Sequence, residues 1–367
     1  MGPRTRTVKT LRGTITFPRM VWECPQTRLQ VAPLDLELGL APGARMTREV
    51  VSKVAFAGAR SAYTGAAEDL RRLAGIEVSR AEFARVVNEE GERVLERQTE
   101  REERWSEPVG TDRPVFPPEI CCERLVIEAD ATMALTVKGE EHKAVYCGRA
   151  FDAAARVDKR GRPLIVESRF AASAVNLEDF GPRLDALANR CGARRAKAVA
   201  FLADGAPGLW KMAEDRFPFA VHIQDYWHVS EHLHDLAKTL LGEGTPEAKA
   251  RADHWCALLL DSRVADVIDE LDEERRRRRG DKRDAIAREI AYLEAGRKRM
   301  DYKRYRADGW PIGSGAIEAT CKHLAKERLC VTGARWRRKN LPSVVALRQC
   351  RANQEWDMDF TPTAKAA

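Results

Sequence analysis

Three carboxylates stand out by where they sit. Asp204 closes an apolar run, AVAFLADGA, immediately before Gly205; Asp130 lies among apolar residues in LVIEADATM; Glu318 sits in GWPIGSGAIEATCK, within the most basic part of the chain. A strand that delivers a carboxylate at its C-terminal end into a glycine turn builds a site, because ligands gather outside the carboxyl ends of strands. An isolated buried aspartate is costly unless it is paired or metal-bound. Near the start of a helix, as at Glu318, the dipole favours an anion, which suits a metal ligand better than a general acid. Hard divalent cations such as Mg²⁺ take a few carboxylates together with water and phosphate oxygens. Two such ions on three carboxylates activate a water or a 3′-hydroxyl and stabilise the leaving oxygen in phosphodiester displacement. Singly, each acid reads as a surface or capping residue; together they describe a phosphoryl-transfer site.

The elements that must position these acids follow from the pattern. RLVIEADATMALTV (124–137), HKAVYCGRAF (142–151) and PLIVESRFAA (163–172) predict three consecutive antiparallel strands. An amphipathic helix, NLEDFGPRLDALANRCG, then precedes the apolar strand AVAFLADG, a short helix around LWKMAEDRF, and a last strand, FAVHIQD. The order β-β-β-α-β-α-β predicts a mixed α/β sheet and is that of the ribonuclease H-like (retroviral integrase-like) fold. Residues 120–230 form the first part of this core, and 231–306 an all-α insertion before the Glu318 helix. Residues 307–356 supply the closing helices, and 357–367 a tail. Upstream, residues 1–105 predict a β-hairpin over 6–23 and then helices, followed by a proline-bearing linker over 106–119. Within 66–87 one short helix ends at Gly75 and another begins at Ser79, where Glu82 three residues later fits a capping box. This is either a DNA-reading helix-turn-helix or an ordinary αα-hairpin.

Composition narrows the partners. The 367 residues carry a net charge of +7, but the excess is local. From Arg297 to Arg351 fifteen Lys or Arg face four Asp or Glu, and such a surface attracts polyanions, nucleic acid first among them. Lys322, Lys326 and Arg328 flank Glu318, and Arg335, Trp336, Arg337, Arg338 and Lys339 place an aromatic among cations, where it either stacks on an unpaired base or anchors the last helix. The run Arg275 to Arg279 reads by itself as a solvated helix face or a flexible kink, and in the helical insertion of a nucleic-acid-binding chain rather as a phosphate track. Nine cysteines show no regular framework and no C-x-x-C pair, the usage of a reduced cytoplasmic protein. No apolar run is long enough to span a bilayer. His228, His232 and His234 lie near Asp225, but their spacing is weak evidence for zinc.

The motifs DATM, LADGAPGLW, QDYWHVSEHL, WPIGSGAIEATCKHLAKERLCVTGARW and ALRQCRANQEW, spread over 124–356, resemble those of a DDE transposase of a bacterial insertion sequence. The ISKra-type family is the nearest in pattern, with Mutator-like transposases further off. The resemblance implies that Asp130, Asp204 and Glu318 bind two Mg²⁺ or Mn²⁺ ions and that Asp225 and His228, in a D-x-x-H pattern, support the site or contact DNA; zinc is unlikely on the residues themselves. It implies double-stranded DNA partners, namely terminal inverted repeats and target DNA, and a homodimer or larger assembly at the nucleoid. Two departures stand out: Ala131 follows the first Asp where glycine is usual, and CPQTR offers only Cys24 before the P-L-D of APLDLELGL. One thiolate makes no tetrahedral site. Two other readings are an inactive or domesticated DNA-binding protein and a ribonuclease H-like nuclease that never joins strands.

Overall fold

A computed structural model describes residues 2–106, 117–153 and 164–360. Most of the expected linker and the end of the expected tail lie outside the described residues. The elements in chain order are strands β1 (Gly2–Thr10), β2 (Gly13–Glu23) and β3 (Gln30–Val31), then helices α1 (Pro33–Glu37), α2 (Arg48–Arg60), α3 (Tyr63–Ala74) and α4 (Arg80–Ser106). Strands β4 (Arg124–Ala134), β5 (Lys143–Asp152) and β6 (Ser168–Ser173) follow, then α5 (Leu177–Arg190), β7 (Ala198–Ala203), α6 (Pro207–Arg216) and β8 (Val221–Gln224). Helices α7 (Tyr226–Leu241), α8 (Pro246–Leu260), α9 (Val264–Arg277), α10 (Gly280–Gly296), α11 (Tyr302–Ala307) and α12 (Gly315–Cys321) come next. A π-helical turn (Lys322–Lys326), α13 (Glu327–Leu329), α14 (Leu341–Ala352) and α15 (Trp356–Phe360) close the chain.

These elements form two compact units. One comprises Met1–Gln98, Leu135–His142 and Glu327–Ala367; the other comprises Thr99–Ala134 and Lys143–Lys326. The closing segment from Glu327, expected with the acid-bearing sheet, therefore groups with the N-terminal region.

In the first unit the expected hairpin forms, with β1 antiparallel to β2 and Arg6 opposite Phe17. Asp35 of the P-L-D motif is buried and ion-paired to Arg6 and to Arg19, so this motif anchors α1 on the hairpin. The Gly75 break is real: Gly75 caps α3 in the left-handed region at φ 64°. The capping box also forms, the Ser79 N–H donating to Glu82 Oε2 at 3.0 Å and the Glu82 N–H to Ser79 Oγ at 3.2 Å. The second helix is not short, however. It runs for 27 residues, and Phe83, Val86, Val87 and Val94 bury one face of it. The pair is an αα-hairpin whose long member is a core helix.

The second unit is a mixed α/β structure with a five-stranded sheet in the order β6-β5-β4-β7-β8. β4 pairs antiparallel with β5 and β5 with β6, while β7 runs parallel to both β4 and β8. Alternation along the strands sorts two faces. Leu125, Ile127, Ala129, Val199 and Phe201 point to one core with Phe180 and Leu184 of α5 and Trp210 of α6. Val126, Ala200, Leu202 and Ile223 point to the other, filled by Leu233, Trp255, Leu271, Leu293 and Tyr302 of the helical stretch. The helices between β8 and α12 therefore share a core with the sheet and form a layer on it, where the sequence suggested a separate insertion domain.

Among the described residues no helix is long and apolar enough to cross a membrane. Four arginines of the Arg275–Arg279 run are paired within α9: Arg275 and Arg276 with Asp272, Arg277 with Glu273, and Arg278 with Glu274. This is the solvated, internally neutralised face that the simpler reading described.

Candidate functional site

Strand register builds the site. β4 and β7 pair in parallel through Ala129 opposite Ala203, and β7 and β8 through Ala203 opposite Gln224. One further step along these rows sets Asp130, Asp204 and Asp225 side by side, Asp204 and Asp225 just past the carboxyl ends of β7 and β8, and Asp130 inside β4, one step beyond its last residue paired with β7. The Asp225 N–H extends the pairing, donating to Ala203 O at 2.9 Å. Burial, reinforced by the neighbouring Asp204 charge, raises the Asp130 pKa, while the Ala131 N–H at 2.6 Å, Cys321 and Lys326 oppose the rise. Asp204 caps the turn that follows it, its Oδ1 accepting from the Ala206 N–H at 3.0 Å.

Glu318 is reached by a different route. It lies exposed in the first turn of α12. Three residues on, on the same helical face, the buried Cys321 thiol interacts with both Asp130 and Cys147, which faces Asp130 across the β4–β5 register. Its hydrogen bond to Cys147, burial and the Asp130 charge all push that thiol upward, so it stays protonated. The Cys321 contact seats α12 beside the first acid, one turn from Glu318.

Asp225 locks the approach to α12. It is 2% exposed and caps α7, its Oδ1 accepting from the Trp227 N–H at 2.8 Å, while Oδ2 accepts a hydrogen bond from the Ser314 hydroxyl. The Tyr226 N–H donates to Ile312 O at 2.8 Å. Trp227, 62% exposed, lies so close to Gly313 that a Cβ there would come within 2.4 Å of its ring. Only glycine admits that approach. Asp225 is thus a positioning group for the Gly313-Ser314-Gly315 turn. Losing the cap and a charge-assisted buried hydrogen bond together costs about 2–4 kcal/mol, so Asp225→Ala is expected to lower stability by that amount in urea unfolding. Asp225→Asn keeps an acceptor for the cap and is expected to lose less than half as much; equal losses would contradict this role.

Glu128 is the acid that sequence reasoning missed. It points to the same face of β4 as Asp130, is 1% exposed, and has no side-chain hydrogen-bond partner, only the Ile317 backbone nearby. Arg149 lies opposite it in the register. That guanidinium is committed elsewhere, to Ser168 Oγ (3.0 and 2.8 Å) and to Ala316 O of α12 (3.0 Å). Burial pushes the Glu128 carboxyl up to about 8, with Asp225 and Glu318 adding to the rise and Arg149 and the Ile317 backbone opposing it. The available signal was its period-2 spacing from Asp130 inside an apolar run.

The other expected residues fall into two groups. Lys322, Lys326, Arg335, Arg337, Arg338 and Lys339 are exposed. Arg328 is not: it is 2% exposed, donates to Gly58 O at 2.9 Å, and lies over the rings of Tyr63 and Trp336. Trp336 is 7% exposed and its backbone pairs with Leu135 and Val137. Both are packing residues of the first unit rather than open DNA contacts, because an arginine sandwiched by aromatics buries its stem and charge together. His228 is half-buried with its ring 4.9 Å from that of His232. His232 pairs with Glu289 at 3.3 Å and His234 with Asp253 at 3.9 Å, so the three histidines are spread over different partners.

The donor set of Asp130, Asp204 and Glu318 is all oxygen, the chemistry that suits a hard divalent cation. Among the described residues no three His, Cys, Asp or Glu side chains are gathered into a group that would hold a metal ion. Asp130 and Asp204 are neighbours, and Glu318 stands one helical turn beyond the Cys321 contact. Fold and site together define a mixed α/β chain with an acidic row across three neighbouring parallel strands. No family model matches the chain, and no curated protein does.

Proposed function

We propose that this chain is a DNA transposase of the DDE type on a ribonuclease H-like fold, cutting at transposon ends and joining the freed 3′-hydroxyl to target DNA. The observation that carries this reading is the Asp130–Asp204 pair, Asp204 at the end of β7 beside Asp130 within the parallel neighbour β4, with the Glu318 helix seated beside it. The strand order β6-β5-β4-β7-β8, three antiparallel strands continuing into two parallel ones, supports the fold assignment. Asp130, Asp204 and Glu318 would hold two Mg²⁺ or Mn²⁺ ions, which when bound supply Lewis acidity toward the phosphate and a nucleophile at neutral pH.

The chain's own residues do the rest. Asp225 and Ser314 fix the turn that leads to Glu318. The exposed Lys322 and Lys326 meet backbone phosphate next to the acids, and the exposed Arg335, Arg337, Arg338 and Lys339 bind phosphate as well. Such contacts hold register on the duplex and carry no sequence information themselves. Recognition of the ends falls to the N-terminal helices together with these basic residues.

The test is incubation of the purified chain with labelled terminal inverted-repeat DNA and Mg²⁺ or Mn²⁺, scored for 3′-end nicking and joined products. Nicking without joining would favour a nuclease, and binding without either an inactive DNA-binding protein. Glu318→Gln is expected to bind the end DNA within about twofold of wild type while nicking falls at least about a hundredfold. Strand transfer by that variant would remove Glu318 from the site.

A further inference from the structure

Helix α10 of the helical layer turns one face toward the second acid. Glu289, Tyr292 and Gly296 share that face at i, i+3 and i+7. Glu289 Oε2 lies 3.3 Å from His232 Nδ1, and the Tyr292 ring stacks on the His232 ring at 4.2 Å. At Gly296 a Cβ would come within 2.2 Å of Gln224 Oε1. Between these contacts the Tyr292 ring edge rests on Gly205, the residue after Asp204. A Cβ on Gly205 would lie 2.3 Å from Tyr292 Cε2 and 3.0 Å from its hydroxyl.

That hydroxyl is buried, and its oxygen is within reach of the Gln224 amide as a donor, so it is the phenol proton that lacks an acceptor; Glu289 Oε1 nearby has no partner either. Burial, with the charges of Glu289, Asp204 and Asp225, holds the phenol protonated against the influence of Gln224, so it remains a donor. A buried donor without an acceptor costs about 1–3 kcal/mol. Phenylalanine would fill the same space, stack on the same histidine and avoid that cost. Gln224 accounts for the oxygen but not for the proton, and the acid on the turn beneath the ring is Asp204, whose charge the phenol feels and one of whose oxygens is already fixed by the Ala206 N–H.

We infer that Tyr292 is a positioning residue for Asp204, its hydroxyl held over the Gly205 turn to donate to the carboxylate when DNA is engaged. This rests on the transposase reading. It assigns the helical layer a part in the active site in addition to its packing on the sheet.

The experiment compares wild type with Tyr292→Phe on the same labelled inverted-repeat duplex with Mg²⁺, measuring thermal midpoint, DNA affinity by mobility shift, and nicking rate at saturating DNA. The expected result is a midpoint unchanged or raised, affinity within about twofold, and a maximal nicking rate lower by about tenfold to a hundredfold, the worth of one hydrogen bond to a charged group. Equal nicking by Tyr292→Phe overturns the inference and leaves the transposase reading standing. A rate loss that tracks a fallen midpoint also overturns it, because the hydroxyl would then be structural. If wild type binds the duplex and cuts nothing, the transposase reading fails and the inference with it.

Discussion

Asp204→Asn is expected to lower nicking of a labelled DNA end by about a hundredfold to a thousandfold, the scale for removing one preorganised charged group from a site, with no loss of folding stability. Two observations separate the effects. The turn survives, because an asparagine oxygen can accept the Ala206 N–H as Asp204 Oδ1 does now. The Asp130 carboxyl, pushed up by burial and then by the Asp204 charge, is relieved of a like-charged neighbour. Activity and stability therefore move independently, or in opposite directions. Paired nicking assays and thermal melts check this, and a variant that cuts within about tenfold of wild type would take Asp204 out of the chemistry.

The second large effect is on stability alone. Glu128 is fully enclosed, and its carboxyl is pushed up to about 8 from the usual 4.5. A carboxyl whose folded pKa lies above its unfolded one favours folding most below the unfolded value, and that advantage is lost as pH rises through the folded value. Wild type is thus expected to lose stability steadily as pH rises between about 4.5 and about 8 through this residue. Glu128→Gln, which cannot ionise, is expected to escape the loss and to exceed wild type in stability above that window. Urea unfolding of both proteins at pH about 5, about 7 and about 9 would decide; parallel curves would mean that Glu128 does not titrate in the folded chain.

Local pattern made much of this visible. The apolar runs ending at Asp204 and surrounding Asp130 located the strands, because alternation and glycine breaks are written in neighbouring residues. The capping box at Ser79 and Glu82 formed as its spacing implied. What escaped were consequences of distant packing. Arg328 and Trp336 look like DNA contacts in a basic segment, yet Tyr63, more than 260 positions earlier, closes over the arginine. Tyr292 is one aromatic among many in a helical stretch until Gly205 is found beneath it. Glu128 was the nearest miss, since its face was predictable from Asp130 and only its lack of a side-chain partner needed coordinates.

The clasp between Asp225 and Ser314, with Tyr226 N–H on Ile312 O, joins the two ends of the helical excursion at its root. A segment whose ends are already fastened acts as a closed loop, and the entropy of closure grows only with the logarithm of its length, about 0.6 kcal/mol for each doubling. The distance between the second and third acids is then set by the knot rather than by the number of residues in the excursion. Additions at the exposed turns between α7 and α8 or between α9 and α10 would lengthen the excursion without drawing Glu318 away from the aspartate row. The spacing of these acids and the size of the helical layer are thereby free to vary separately.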